Sequence, residues 1–349
     1  MSPALPTPRG PLSSALTAHL SDGERLAPPD LLGLDPLTDD DLHLALWCCY
    51  ELHYHGFDGV PDGAEWDPEV LAFRTELEQA FEAALRDEHR AEALPDDPAL
   101  ALRVIATWAG PPLSSTVARQ GTREHLAEFA IHRSIYQLKE ADPHTWVIPR
   151  LAGRARSALL EIQSDEYGRG RPGEAHAELF AAAMEELGLC ADFAAYVDRV
   201  PGETLATDNL VSMFGLHRRL RGALVGHLAL FETTSVGPMA NYLAAARRIG
   251  DLPNFARFYE THVHADAHHG DLALRDMVVE LVEDDPSLAP EVVFGAAALA
   301  RVEARFARRV LRCWDRGESS LRPELEAGLG LTPRQDPDNP RRSAASASS

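Results

Sequence analysis

The chain has 349 residues, 45% hydrophobic and 25% charged, with a net charge of −21 when histidine is neutral. The apolar share is enough for one large core or two smaller ones. The acidity excludes a nucleic-acid surface, which needs clustered Lys and Arg, and no apolar run approaches the roughly 18–20 residues that span a bilayer.

Residues 1–35 are rich in Pro, Ser and Gly and are expected to form a flexible arm. They lack the basic and apolar regions of a signal peptide, so a cytoplasmic location is expected. Cys48, Cys49, Cys190 and Cys313 form neither a CxxC pair nor a disulfide framework, and read as reduced, buried thiols. His43, His53 and His55 read as polar positions of an N-terminal helix. From residue 36 onward apolar residues recur at three- and four-residue spacing, as in AEWDPEVLAFRTELEQAFEAALRDEHRAEAL and HRRLRGALVGHLALFETTSVGPMANYLAAARRI. Period-two alternation is nearly absent. The pattern predicts an all-α protein of about ten helices. Gly and Pro interrupt it at WAGPPLSST, residues 108–116. An N-terminal helical segment over 36–110 is therefore expected, then a helical core over 111–328 and a disordered tail over 329–349.

The GRGRPG of residues 168–173 has the letters of a dinucleotide-binding loop. It follows a helix and contains proline, whereas that loop must follow a strand. HExxH, GxSxG and paired ExxH motifs are absent.

Residues 258–274, FYETHVHADAHHGDLAL, carry four histidines and two aspartates within ten positions. At 100° per residue, His262, Asp266 and His269 share one helix face. His264, His268 and Asp271 have the same spacing on the opposite face. The neighbours separate the two triads. Phe255, Phe258, Tyr259, Ala273 and Met277 surround the first, while Arg257, Glu260 and Arg275 surround the second. The first is predicted to be buried, where two imidazoles and a carboxylate need compensation such as a metal provides.

Other polar residues interrupt apolar stripes. Glu232 lies in a row with Val225, Leu228, Val236 and Met239. Glu166 continues Leu159 and Ile162, and His176 opens the stripe Leu179, Phe180, Ala183, Leu187. Glu140 follows Tyr136 and Arg133 near a helix end. A pocket-edge polar residue would account for each alone. Together with His262, Asp266 and His269 they offer four carboxylates, whose charge balances two divalent ions, in a mixed N/O set better suited to iron or manganese than to zinc.

At these residues the chain resembles the haem-oxygenase-like di-iron oxidases and oxygenases, also called iron-containing redox enzymes. The resemblance rests on Glu140 in QLKEADPHTWVIPRL, Glu166 and His176 ten residues apart in DEYGRGRPGEAH, Glu232 in HLALFETTSVGP, and the HxxxDxxH of His262, Asp266 and His269. It implies a haem-oxygenase-like helical bundle, here with an N-terminal helical extension, that holds two non-haem irons. Six of these residues would be standing ligands, and Glu232 a flexible seventh that joins when O2 binds. GRGRPG would supply the distortion that lets Glu166 and His176 ligate together. The implied chemistry is O2 activation through a peroxo intermediate, with an external electron donor and a small-molecule substrate. The N-oxygenating branch is the nearest, so N-oxygenation of an amine is expected. Oxidative C–C cleavage or desaturation of an amino or fatty acid is the alternative. That branch carries a further cupin domain; this chain ends in the tail, so activity belonging to that domain is not expected.

Three other readings compete. A haem protein would need a proximal histidine such as His132. A thiaminase-like relative would need a catalytic cysteine in the pocket, and a non-catalytic helical binding protein would need none of these residues. Arg133 and Tyr136, two turns and one turn before Glu140, are candidate substrate contacts, Arg133 through a substrate carboxylate. A homodimer is expected by analogy alone.

Overall fold

A computed structural model describes residues 2–90, 93–108 and 110–323. The described residues form helices and no strand. In chain order these are α1 (Pro11–Asp22), α2 (Asp40–Glu51), α3 (Pro68–His89), α4 (Pro98–Ala106), α5 (Leu113–Gln120), α6 (Arg123–Gln137), the single turn α7 (Asp142–Thr145), α8 (Gly153–Glu166) and α9 (His176–Glu186). There follow α10 (Gly202–Leu216), α11 (Arg221–Ile249), α12 (Pro253–Leu272), a π-helical stretch Ala273–Val279, α13 (Glu280–Asp284) and α14 (Ala289–Trp314). None of them is long and apolar enough to cross a membrane. The expected tail, 329–349, lies outside the described residues.

The N-terminal residues differ from the loose arm that their composition suggests. Leu12, Leu16 and Leu20 are buried on one face of α1. The Asp41 carboxylate accepts from the backbone N–H of Leu12 at 2.8 Å and of Ser13 at 2.9 Å. An i, i+4, i+8 leucine stripe outweighs the Pro and Ser around it. Cys48, Cys49 and Cys313 are buried, but Cys190 is exposed.

Every residue of α2 from Asp41 to Glu51 is buried, and so is most of α10. Helices enclosed on all sides belong to a core, not to an appendage. One hydrophobic cluster runs from Leu42 and Trp47 through Leu210 and Phe214 to Leu224 and Phe294. The break near residue 110 is thus not a division of the core. Lys139, fully enclosed after the end of α6, joins the two parts, with its Nζ 3.0 Å from Glu51 and 3.0 Å from Asp208. The next residue, Glu140, faces a chamber between α6, α8, α11 and α12.

Candidate metal centre

Helix α8 stops at Glu166 because the next residues cannot continue it. Gly168, Arg169 and Gly170 have φ of 65°, 54° and 70°, the left-handed region. A Cβ on Gly168 would overlap the backbone of Glu174 and Ala175, so the chain closes on itself there only with glycine. In an unbroken helix, residues ten apart stand about 15 Å apart along the axis. The turn instead returns His176, the first residue of α9, so that its Nδ1 lies 2.8 Å from Glu166 Oε2.

Helix α12 approaches α11 closely at Gly270, where a Cβ would lie 3.2 Å from the Glu232 carbonyl oxygen. That approach sets His269 Nδ1 3.5 Å from Glu232 Oε2. One turn earlier on the same face, Asp266 lines the chamber. A further turn back, His262 Nε2 lies 3.5 Å from Glu140 Oε2, and its ring is 4.2 Å from that of His176.

Glu140, Glu166, His176 and His262 each offer one ligand atom, and these atoms all lie within 4.8 Å of one another. Glu166, Glu232 and His269 form a second group by the same measure, so Glu166 is common to both. Asp266 belongs to neither group. It borders the same chamber, of about 10 Å³. All seven residues are at most 8% exposed.

The donor set fits a pair of cations. Glu140 Oε2, Glu166 Oε2, His176 Nδ1, His262 Nε2 and His269 Nδ1 are buried without a hydrogen bond, although they crowd together. Buried polar atoms rarely go unpaired. Two imidazoles are held by their other nitrogen. His262 Nδ1 lies 3.0 Å from the Phe258 carbonyl oxygen, and His269 Nε2 lies 3.2 Å from Asp165 Oδ2. Donation to those oxygens leaves the inward nitrogen with a free lone pair, the arrangement of metal-bound histidine.

No Lys or Arg lines the chamber among the described residues. The surrounding carboxylates favour a proton on His262 and His269. Burial alone would lower the His262 pKa, but Glu140, with Glu166 and Asp266, holds it up at about 10. His269 is raised to about 9 in the same way, against burial, by Glu232 and Asp165. Burial lifts Glu232 to about 7, with Asp266 and Glu166 adding to it and His269 opposing.

Sequence reasoning missed Asp165, Gln163 and His144. Asp165 precedes Glu166 and is gripped by Arg169, whose Nε and Nη2 donate at 2.5 and 2.9 Å. Only the i, i+4 spacing of DEYGR hinted at that pair. His144 and Gln163 line the chamber. Burial lowers the His144 pKa to about 4, so it sits there neutral.

His264, His268 and Asp271 are exposed, on the face of α12 away from the chamber. His132 is buried with Nδ1 2.7 Å from Thr204 Oγ1 and Nε2 2.9 Å from Ser320 Oγ, so neither nitrogen is free for a haem iron. Arg133 and Tyr136 line a cavity of about 300 Å³ beside the chamber. Tyr136 and Phe231 border both spaces. Arg133 is bound to Glu303 through Nη1 at 2.9 Å and Nη2 at 2.6 Å.

The profile of the iron-containing redox enzymes matches residues 127–304, just over half of the chain and the whole span from α6 into α14 that carries these side chains. A nitrosourea synthase of Streptomyces achromogenes subsp. streptozoticus is 30% identical over 185 residues, which cover 52% of this chain and 38% of that protein. With a buried carboxylate–histidine cluster lying inside the matched span, the chain is an oxidoreductase of the iron-containing redox enzyme family.

Proposed function

We propose that the chain is an O2-dependent non-haem di-iron enzyme that N-oxygenates a small amine. The observation that carries this reading is the place of Glu166, common to two groups of ligand atoms. Glu140, His176 and His262 would hold one iron and Glu232, Asp266 and His269 the other, with Glu166 within reach of both. Iron so held would, when bound, supply the electrons for reducing O2, with an external donor to restore it. The balance is one amine, one O2, two electrons and two protons giving one hydroxylamine and one water.

The chain's own residues do the rest. Asp165 and the Phe258 carbonyl fix the imidazole tautomers. Glu232 carries the catalytic assignment. Its carboxylate has a single ion contact among the described residues, to His269, which leaves it free to change its bonding. Leu228 and Phe231 help wall the chamber from water. Tyr136 stands where the cavity meets the chamber and contacts the substrate; Arg133 lies further along the same wall.

The kinship with a nitrosourea synthase favours N-oxygenation over the other oxidations open to such a site. The test is anaerobic ferrous loading, then exposure to O2 with a panel of amines and mass analysis of the products. Two irons per chain and gain of one oxygen at nitrogen are expected. Loss of two hydrogens, or a shortened carbon chain, would replace N-oxygenation with desaturation or cleavage.

A further inference from the structure

The cavity of about 300 Å³ lies between α5, α6, α11 and α14, at the small end of the range for ligand sites. Its wall is aromatic, with Trp108, Phe129, Tyr136, Phe231, Tyr242 and Tyr259. Among the described lining residues the charged ones are Arg133 and Glu303, and they neutralise each other. The Arg133 guanidinium binds both Glu303 oxygens and lies 4.4 Å from the centre of the Phe306 ring. A guanidinium held on its fork and on its face has already used the geometry that grips a carboxylate. Taking a substrate carboxylate would strip Glu303 of its partner.

Two other polar groups of the wall have no partner. Gln137 Oε1 and the Tyr259 hydroxyl are buried without a hydrogen bond, on residues 4% and 1% exposed. The hydroxyls of Thr234 and Ser235, by contrast, are used on carbonyls of α11. Unpartnered buried groups on a cavity wall are costly until a ligand satisfies them.

We propose that this cavity selects a predominantly apolar amine without a carboxylate, held by Gln137 and Tyr259, with the Arg133–Glu303 pair as a fixed and neutral part of the wall. The Gln137 oxygen accepts a substrate N–H, and the Tyr259 hydroxyl makes the second contact. This assignment rests on the chamber being the place of oxidation.

The probes are 4-phenylbutylamine and 2-amino-5-phenylpentanoic acid, the same skeleton with a carboxylate added. Binding is measured by calorimetry on the metal-free and the anaerobic Fe(II)-loaded protein. The amine should bind at least about tenfold more tightly, and Gln137→Leu should weaken it about tenfold, the worth of one buried hydrogen bond. Tyr259→Phe, which keeps the ring, should weaken it several-fold. The double variant Arg133→Met with Glu303→Gln should keep the preference. Tighter binding of the amino acid, lost in that double variant, would overturn the assignment. So would amine binding indifferent to both Gln137→Leu and Tyr259→Phe. A chain that prefers the amine but holds no iron would refute the di-iron reading and leave the cavity assignment standing. A chain that holds two irons but prefers the amino acid would do the reverse.

Discussion

The Asp165 carboxylate stands 3.2 Å from Nε2 of His269, on the opposite side of the ring from Glu232. Arg169 fixes that carboxylate from the left-handed turn after α8, and its hydrogen bonds, with the charge of His269, keep the Asp165 pKa low despite burial. Asp165→Asn keeps the shape and removes the charge that orients the imidazole. Loss of such a partner typically costs about 10- to 100-fold in metal affinity. Ferrous titration against a competing chelator should show one of two sites weakened by that much. Two sites of unchanged affinity would remove Asp165 from the centre.

The two triads of α12 give a paired test. His264 and His268 are exposed; His268 makes a 3.2 Å surface contact with Glu161, and its ring centre lies 6.4 Å from that of His269. Exposed ion pairs contribute little. His264→Ala with His268→Ala should leave iron content within error of the parent. His262→Ala and His269→Ala should each lose about half of the iron or more. Equal losses from both pairs would break the division between the faces.

The division of α12 was legible because it depends on local periodicity. His262, Asp266 and His269 share a face with Phe258 and Tyr259, and any helix there would bury them together. Glu166 and His176 needed more than periodicity. Ten residues apart, they meet only through the left-handed turn at Gly168, and that closure depends on tertiary approach. Asp165 was invisible for the same reason, because its partner lies 104 residues away on another helix. The packing of α1 and α2 into the core was partly legible in their leucines, but the Pro and Ser around α1 pointed the other way. The partner that occupies Arg133 could not be read from spacing, since Glu303 is 170 residues on.

Lys139 supplies a prediction about stability. It is fully enclosed and faces Glu51 and Asp208, with its Nζ 4.2 Å from the centre of the Tyr54 ring. Lys139→Met leaves two enclosed carboxylates without their cation. Breaking a buried pair in this way typically costs about 3–5 kcal/mol. Urea unfolding of the metal-free protein should show a loss of that order. Because Glu140 is the next residue, iron binding should weaken as well. A loss under about 1 kcal/mol would mean that Asp208, whose pKa burial raises to about 6, takes up a proton and relieves the strain.

The last prediction concerns acid. Burial lowers the His132 pKa to about 3 and the His43 pKa to about 4. Unfolded, both would titrate near the ordinary value of about 6.5. Below that value the unfolded chain takes up protons that the folded chain refuses. Stability from this source is therefore complete above about pH 6.5 and drains as the pH falls toward 3. The carboxylates that titrate in the same range are common to parent and variant, so a difference between the two isolates the imidazole. His132→Gln keeps a hydrogen-bonding group between Thr204 and Ser320 but cannot take up the proton. Urea midpoints of the metal-free protein at pH 7, 5.5 and 4.5 should fall less steeply in His132→Gln than in the parent, even if the variant starts lower at pH 7. Parallel slopes would mean that His132 is protonated in the fold, with Glu128, the charge that favours its protonated form, as its stabilising partner.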